Sequence, residues 1–238
     1  MEWIVSLSGD DFDLEQLSES FEIPELTIEK DNDSYILKSS RFLPLNSADE
    51  VKKVADELLI AINAASILEL DSRNPIKINV VVGSDGGDVK TKAIFLKCEF
   101  SVRSSLKARI TTTSESDSSG SDAINPMNAL YQLGQSNPQV AQVRQYIYQD
   151  FNSLDNLYKI GEVIETDGFP PIQRKGKDRK EFERFKHTAN CFSVSGFSAR
   201  HSKDTIPPPK NSMSITESKY FIKRIIHEWL ETKRNRIT

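Results

Sequence analysis

The chain opens on a run, Glu2–Ser8, that alternates apolar and polar positions and is rich enough in β-branched residues to predict a strand. Phe12, Leu14, Leu17 and Phe21 then fall at near-helical spacing, so a short helix follows over Asp11–Phe21. Leu26–Glu29 and Tyr35–Ser39 flank Asp31-Asn32-Asp33-Ser34, residues that tolerate turn geometry, and read as a hairpin. Ser47-Ala-Asp-Glu50 is a capping box, in which the serine hydroxyl accepts the third amide of a helix and the glutamate reaches back. The helix it opens carries Val51, Val54, Leu58 and Ile62 in one apolar stripe through about Ala65, and that stripe requires a sheet to pack on. Ile76–Val82 and Ala93–Val102 supply the remaining strands, joined by a loop around Ser84-Asp85-Gly86-Gly87.

The resulting order is β-α-β-β-α-β-β, and its first six elements match the split β-α-β order of ferredoxin-like sheets. Residues 111–125, TTTSESDSSGSDAIN, have too few apolar side chains to offset their own ordering entropy and read as a Ser-rich linker or mobile loop. Beyond them Val140, Val143, Ile147, Leu154, Leu157 and Ile164 keep a helical phase that predicts one long helix, ending at Asp167-Gly168 and Pro170-Pro171. A second amphipathic helix covers Lys177–Asn190, with Phe182, Phe185 and Ala189 on one side. Lys180, Arg184 and His187 fall within a wedge of about 60° on its other side. A last helix starts at the capping box Ser214-Ile-Thr-Glu217, after Pro207-Pro208-Pro209, and buries Phe221, Ile222, Ile225, Ile226, Trp229 and Leu230 while His227 points the other way.

The expected class is therefore α+β. An N-terminal mixed sheet with two helices occupies residues 1–110, the linker follows at 111–125, and a helical domain fills 126–238. Length and composition agree: 238 residues with 37% hydrophobic and 28% charged side chains are ordinary for a folded protein and unlike a disordered chain. No run approaches the roughly 20 apolar residues that cross a bilayer, and the first residues lack a signal-peptide pattern, so a cytoplasmic protein without a membrane partner is expected. Two cysteines far apart, Cys98 and Cys191, imply no disulfide framework.

The net charge of −4 conceals an asymmetry. Residues 1–60 hold 15 acidic and 5 basic side chains, whereas residues 174–210 hold 10 basic and 4 acidic ones. Such a split fits either two faces for different partners or two halves that attract one another.

Two stretches carry a family resemblance. The run from Trp3 through the helix at Ala48–Ala65, and the series FKHTANC, VSGFSARH and PPPKNSMS before the helix containing Trp229, resemble an uncharacterised family of bacterial proteins associated with mobile elements and defence loci. The resemblance implies that biological setting and no activity. The helical half is also similar to HEPN domains, some of which are metal-independent RNases with four to six residues between an Arg and a His. Here Arg184 and His187 have two residues between them, Arg200 and His201 are adjacent, and Arg179 and His187 have seven between them, so the spacing departs from that pattern.

Metal-independent RNA cleavage needs a group that titrates near neutrality and a cation that stabilises the phosphorane. His187 with Arg184 one turn away supplies both types, Arg200 and His201 could complete such a site, and Asn190 could orient a ring. The opposing reading is that these side chains sit on a solvated face or pair with Glu183 and Asp204. Arg174, Lys175, Lys177, Arg179, Lys180 and Lys186 are dense enough to neutralise phosphates, and a solvated basic face, or one docked on the acidic half, is the alternative. Among aromatics only Phe185, Phe192 and Phe197 interleave with this run.

His187 and Cys191 have a spacing that can share a metal, with His201 and Cys98 as conceivable further ligands, but nothing fixes the other distances and no metal is expected. Ser84–Asp88 lacks a P-loop lysine, and Asp10-Asp11-Asp13 lacks the glycine and distal glutamate of a calcium loop; they read as a hairpin turn and as helix N-terminal charge. No Rossmann, nucleophile-elbow, zinc-protease or paired Cys-x-x-Cys motif occurs, so no cofactor is expected. The leading expectation is a non-catalytic accessory protein that binds a partner protein or nucleic acid through its helical half, with a homodimer as its expected assembly. A HEPN-like RNase using His187 and Arg184, and a sequence-nonspecific nucleic-acid binder, are the alternatives.

Overall fold

The computed structural model of the chain describes residues 2–21, 23–85, 88–94, 126–195, 207 and 209–235. Strand β1 (Glu2–Ser8) buries Trp3, Val5 and Leu7 and leaves Glu2 and Ser8 exposed, as a two-residue period requires of a half-buried strand. It forms the centre of a five-stranded sheet with β2 (Leu26–Asp31), β3 (Ser34–Ser39), β4 (Lys77–Asp85) and β5 (Asp88–Ile94), in the order β2-β3-β1-β4-β5.

Helix α1 (Asp11–Ser20) connects β1 to β2 across the position that β3 fills, and α2 (Ala48–Leu70) connects β3 to β4 across the position of β1. These are the two interlocked split β-α-β units of the expected ferredoxin-like order, with β5 added at one edge. All neighbouring pairs are antiparallel, where a mixed sheet was expected. The hairpins impose this on two pairs, with β2 turning into β3 through Asn32 at φ 52° and β4 into β5 with Asp85 opposite Asp88, and the α1 and α2 crossovers set β1 antiparallel to β3 and β4. β5 also begins at Asp88 rather than at Ala93, because an edge strand needs no apolar run and its polar start is ordinary there. The later part of the expected strand, and the Ser-rich residues 111–125, lie outside the described residues.

Asp10 caps α1 by accepting the amides of Phe12 and Asp13, so the acidic cluster is helix N-terminal charge as read from the sequence. The capping box of α2 is formed in full by Ser47 and Glu50. Within α2, buried Asn63 both donates to the carbonyl of Ile76 and accepts its amide, at 2.9 and 2.7 Å, and so fastens the helix to the entry of β4.

Helix α2 has the sheet on one side and α3 (Pro126–Ser136) and α4 (Pro138–Asp150) on the other. Its residues 61–66, Ala-Ile-Asn-Ala-Ala-Ser, are all buried, and their small side chains admit neighbours on more than one face. The buried residues consequently form one continuous cluster from Trp3 to Leu230.

The long helix expected from Val140 to Ile164 is instead two, α4 and α5 (Leu154–Thr166). Asp150 accepts the amide of Asn152 and the chain turns through Phe151–Ser153 before α5 starts. The apolar phase survives this break, so Val143 and Ile147 before it and Leu157, Ile160 and Ile164 after it are all buried although the two helices pack against each other. Helices α6 (Pro170–Gln173), α7 (Lys177–Asn190), α8 (Phe192–Ser195) and α9 (Ile215–Arg234) complete the described helices. Phe182 and Phe185 of α7 meet Phe221 of α9 at ring separations of 6.4 and 6.2 Å, and Asp167, just past α5, binds both Trp229 Nε1 at 2.8 Å and Lys233 Nζ at 2.6 Å of α9.

Candidate functional site

Helix α7 carries most of the chemistry that the sequence singles out. Its buried side holds Phe182, Phe185, Thr188 and Ala189, which aims the remaining positions at solvent or at the segment that leads into α9. That segment contains Pro207 and Pro209, residues without an amide hydrogen, so its carbonyl oxygens must find donors outside a regular ladder.

α7 provides them. Arg184 donates from Nε to the carbonyl of Asn211 at 2.7 Å and from Nη2 to that of Ser212 at 3.0 Å, and it lies 3.5 Å from the Glu217 carboxylate. His187 Nε2 is 2.8 Å from the carbonyl of Pro207; a carbonyl only accepts, so Nε2 is the donor. Thr188 accepts the amide of Met213 at 3.0 Å and donates to the carbonyl of Arg184. These three side chains clamp Pro207 and residues 211–213 to α7. Glu217, in the capping box of α9, is held below its ordinary carboxyl range first by the Ser214 backbone amide, then by the Ser214 hydroxyl, with Arg184 adding to both.

Thus Arg184 and His187 stand one turn apart as expected, but both head groups are engaged with backbone carbonyls. Asn190 Oδ1 is buried without a hydrogen-bond partner and makes no bond to the His187 ring. Arg200 and His201 lie outside the described residues, as does Cys98. Cys191 is buried beside Ser193 Oγ at 3.2 Å, and among the described residues no three His, Cys, Asp or Glu side chains gather as a metal would need. A cleft of about 610 Å³ beside the clamp is lined by residues that include Asn152, Leu154, Met213, Ser214 and Glu217, and among the described residues no His, Cys, Lys or Arg lines it.

The six expected phosphate-binding cations fall into two groups. Arg179 pairs with Glu165 and Glu183, and Lys186 pairs with the same two carboxylates at 3.3 and 3.0 Å while its ammonium lies 4.9 Å from the Phe182 ring centre. Only 19% of the Lys186 side chain is exposed. These two are spent within the fold. Arg174, Lys175, Lys177 and Lys180 are exposed and form no ion pair among the described residues. They occupy the α6–α7 connection and the outer face of the first turn of α7, where Gly176 separates the two short stretches.

Sequence reasoning missed what α9 brings to this surface. Arg224 bonds Asp178 of α7 at 2.8 Å and approaches Glu181 at 3.6 Å, and Tyr220, one turn before it, is 72% exposed. Arg224, Tyr220 and Glu217 share one stripe of α9, and the i, i+4 spacing of Tyr220 and Arg224 was the available signal; it was passed over because the helix was read for its buried side. His227 likewise faces Glu69 of α2, with Nε2 3.0 Å from the carboxylate, so it points at the N-terminal half.

No helix among the described residues is long and apolar enough to cross a membrane. Comparison of the chain with family models, with curated proteins and with solved structures gives no match.

Proposed function

We propose that the chain is a non-catalytic accessory protein, of the mobile-element or defence type that its sequence resembles, and that it binds the phosphate backbone of nucleic acid through Arg174, Lys175, Lys177 and Lys180. The observation that carries this reading is the division of the basic run: two cations are neutralised by Glu165 and Glu183, and four are left exposed without a partner among the described residues. An unpaired surface cation costs nothing to desolvate from a partner and releases counterions when it meets a phosphate. In a chain whose net charge is −4, four such cations within seven residues make a local attraction rather than a general one.

A binding role is favoured over RNase chemistry by the occupation of Arg184 and His187, whose donors satisfy the carbonyls of Asn211, Ser212 and Pro207. A catalytic pair would have to release those carbonyls in order to reach a phosphate. The test is binding of a fluorescent RNA by the whole chain across a salt series, in EDTA. Four phosphate contacts give a log–log slope of about −3, and Lys177→Glu with Lys180→Glu reduces both the affinity and the slope. A flat salt response overturns the reading, as does RNA cleavage in EDTA that His187→Ala abolishes.

A further inference from the structure

We infer that the nucleic acid this surface takes is single-stranded, with Tyr220 as the ring on which a base stacks beside phosphates held by Lys177 and Lys180. The inference rests on the backbone-binding reading above and names its substrate class.

The placement follows from two tie points between α7 and α9. Arg184 of α7 meets Glu217 of α9 at 3.5 Å, and Asp178 of α7 meets Arg224 of α9 at 2.8 Å, with Glu181 at 3.6 Å from the same guanidinium. Along α9, Tyr220 stands three residues after Glu217 and four before Arg224, so the three share one stripe, and Tyr220 lies between the ties. Along α7, Lys180 is four residues before Arg184, and Lys177 and Lys180 each adjoin one of the carboxylates that Arg224 contacts. The exposed ring therefore stands on the stripe of α9 that is tied to α7, the helix that carries Lys177 and Lys180, although it is remote from them in sequence.

The composition of this surface distinguishes between nucleic-acid forms. Its neighbours Phe221 and Ile222 are buried, whereas Tyr220 presents most of its surface to water, an arrangement that leaves a flat apolar face open to a base between two ion-paired ties. A duplex buries its base faces in its own stack and offers only phosphates and groove edges, so the ring adds nothing to its binding. A single strand exposes base faces, and stacking on an aromatic ring adds to backbone neutralisation without demanding a particular base.

The experiment compares a fluorescent oligouridylate with an RNA duplex of equal length by anisotropy at fixed salt, using the whole chain and its Tyr220→Ala, Tyr220→Phe and Lys177→Glu/Lys180→Glu variants. Because Tyr220 is exposed, thermal melting of the variants should match that of the parent, which excludes a folding defect as the cause of any loss. The expected result is tighter binding of the single strand, an affinity loss of about tenfold or more with Tyr220→Ala that spares the duplex, and retention with Tyr220→Phe. Equal binding of both forms, or a Tyr220→Ala variant with unchanged single-strand affinity while the lysine variant fails, overturns this inference and leaves the backbone-binding reading standing. Absence of binding to either RNA removes both.

Discussion

Gly161 of α5 lies directly beneath the ring of Phe182 in α7: a Cβ placed on Gly161 would fall 2.6 Å from Phe182 Cε2 and 3.1 Å from Cζ. Phe182 is fully buried and packs on Phe185 and Phe221, so its ring has nowhere to retreat. Gly161→Ala gains about 1 kcal/mol of helix propensity but forces this overlap, and overpacking costs about 1–3 kcal/mol. The net expectation is destabilisation by about 1 kcal/mol, read as a lower urea midpoint. Because Phe182 anchors α7, the Lys177–Lys180 surface becomes more easily unfolded as well.

How much of this was legible in the sequence depends on whether one element or two fix a feature. Both capping boxes, α7 from Lys177 to Asn190, and the apolar stripes of α2 and α9 are local patterns and occur as read. The split β-α-β order was readable because element order and hairpin signals leave few sheets that satisfy it. The break between α4 and α5 was not, since Phe151 keeps the apolar phase while the Asp150 carboxylate accepts the amide of Asn152 at the end of the helix. The candidate site divides in the same way. The basic run was visible, yet which of its members are neutralised depends on Glu165, a residue of another helix, and the ring beside it comes from α9. Periodicity along one helix carries no information about the residue that a second helix sets against it.

The clamp on Pro207 and residues 211–213 gives a prediction that separates structural from catalytic use of Arg184. Arg184→Ala removes donors to the carbonyls of Asn211 and Ser212, charge-assisted bonds at a partly exposed site, and is expected to cost about 2 kcal/mol of stability. Its RNA affinity should change less than twofold at a temperature where the variant is folded. Calorimetric melting together with the anisotropy titration checks both statements, and a large affinity loss without a stability loss would assign Arg184 to the binding surface instead.

The capping-box glutamates set an acid limb for stability. Glu50 and Glu217 are each lowered from their ordinary 4.5, in both cases first by a backbone amide, that of Asn46 and that of Ser214 respectively. A carboxyl whose folded value is depressed binds its proton more readily in the unfolded chain. Its contribution is therefore complete above about pH 4.5 and is lost as pH falls through the lowered folded value. Melting temperature should hold through the weakly acidic range and fall below it. Glu217→Gln, which keeps an oxygen acceptor for the cap without the titration, should make that fall shallower.

Arg144 of α4 is a half-buried charge whose guanidinium is only partly satisfied. Its Nε and Nη1 are buried with no hydrogen-bond partner among the described residues, and burial pulls the guanidinium below its ordinary value while the nearby Tyr131 acts in the opposite sense. Gly134 of α3 makes room for it, since a Cβ there would fall 2.8 Å from Nη1, and the next nearest atoms belong to the same guanidinium. A half-buried charge with unsatisfied donors opposes folding, and replacing it by an apolar side chain of similar length removes the desolvation cost. Arg144→Met is therefore expected to raise the urea midpoint, by about 1 kcal/mol in stability. The two positions should also couple: Gly134→Ala gains less of its helix propensity beside Arg144, whose guanidinium must shift, than beside the smaller-headed methionine, by several tenths of a kcal/mol. A double-mutant cycle in urea measures that coupling. Additive effects would show that the guanidinium does not occupy the space above Gly134 in solution, and a loss of stability in Arg144→Met would show that the charge has a partner there.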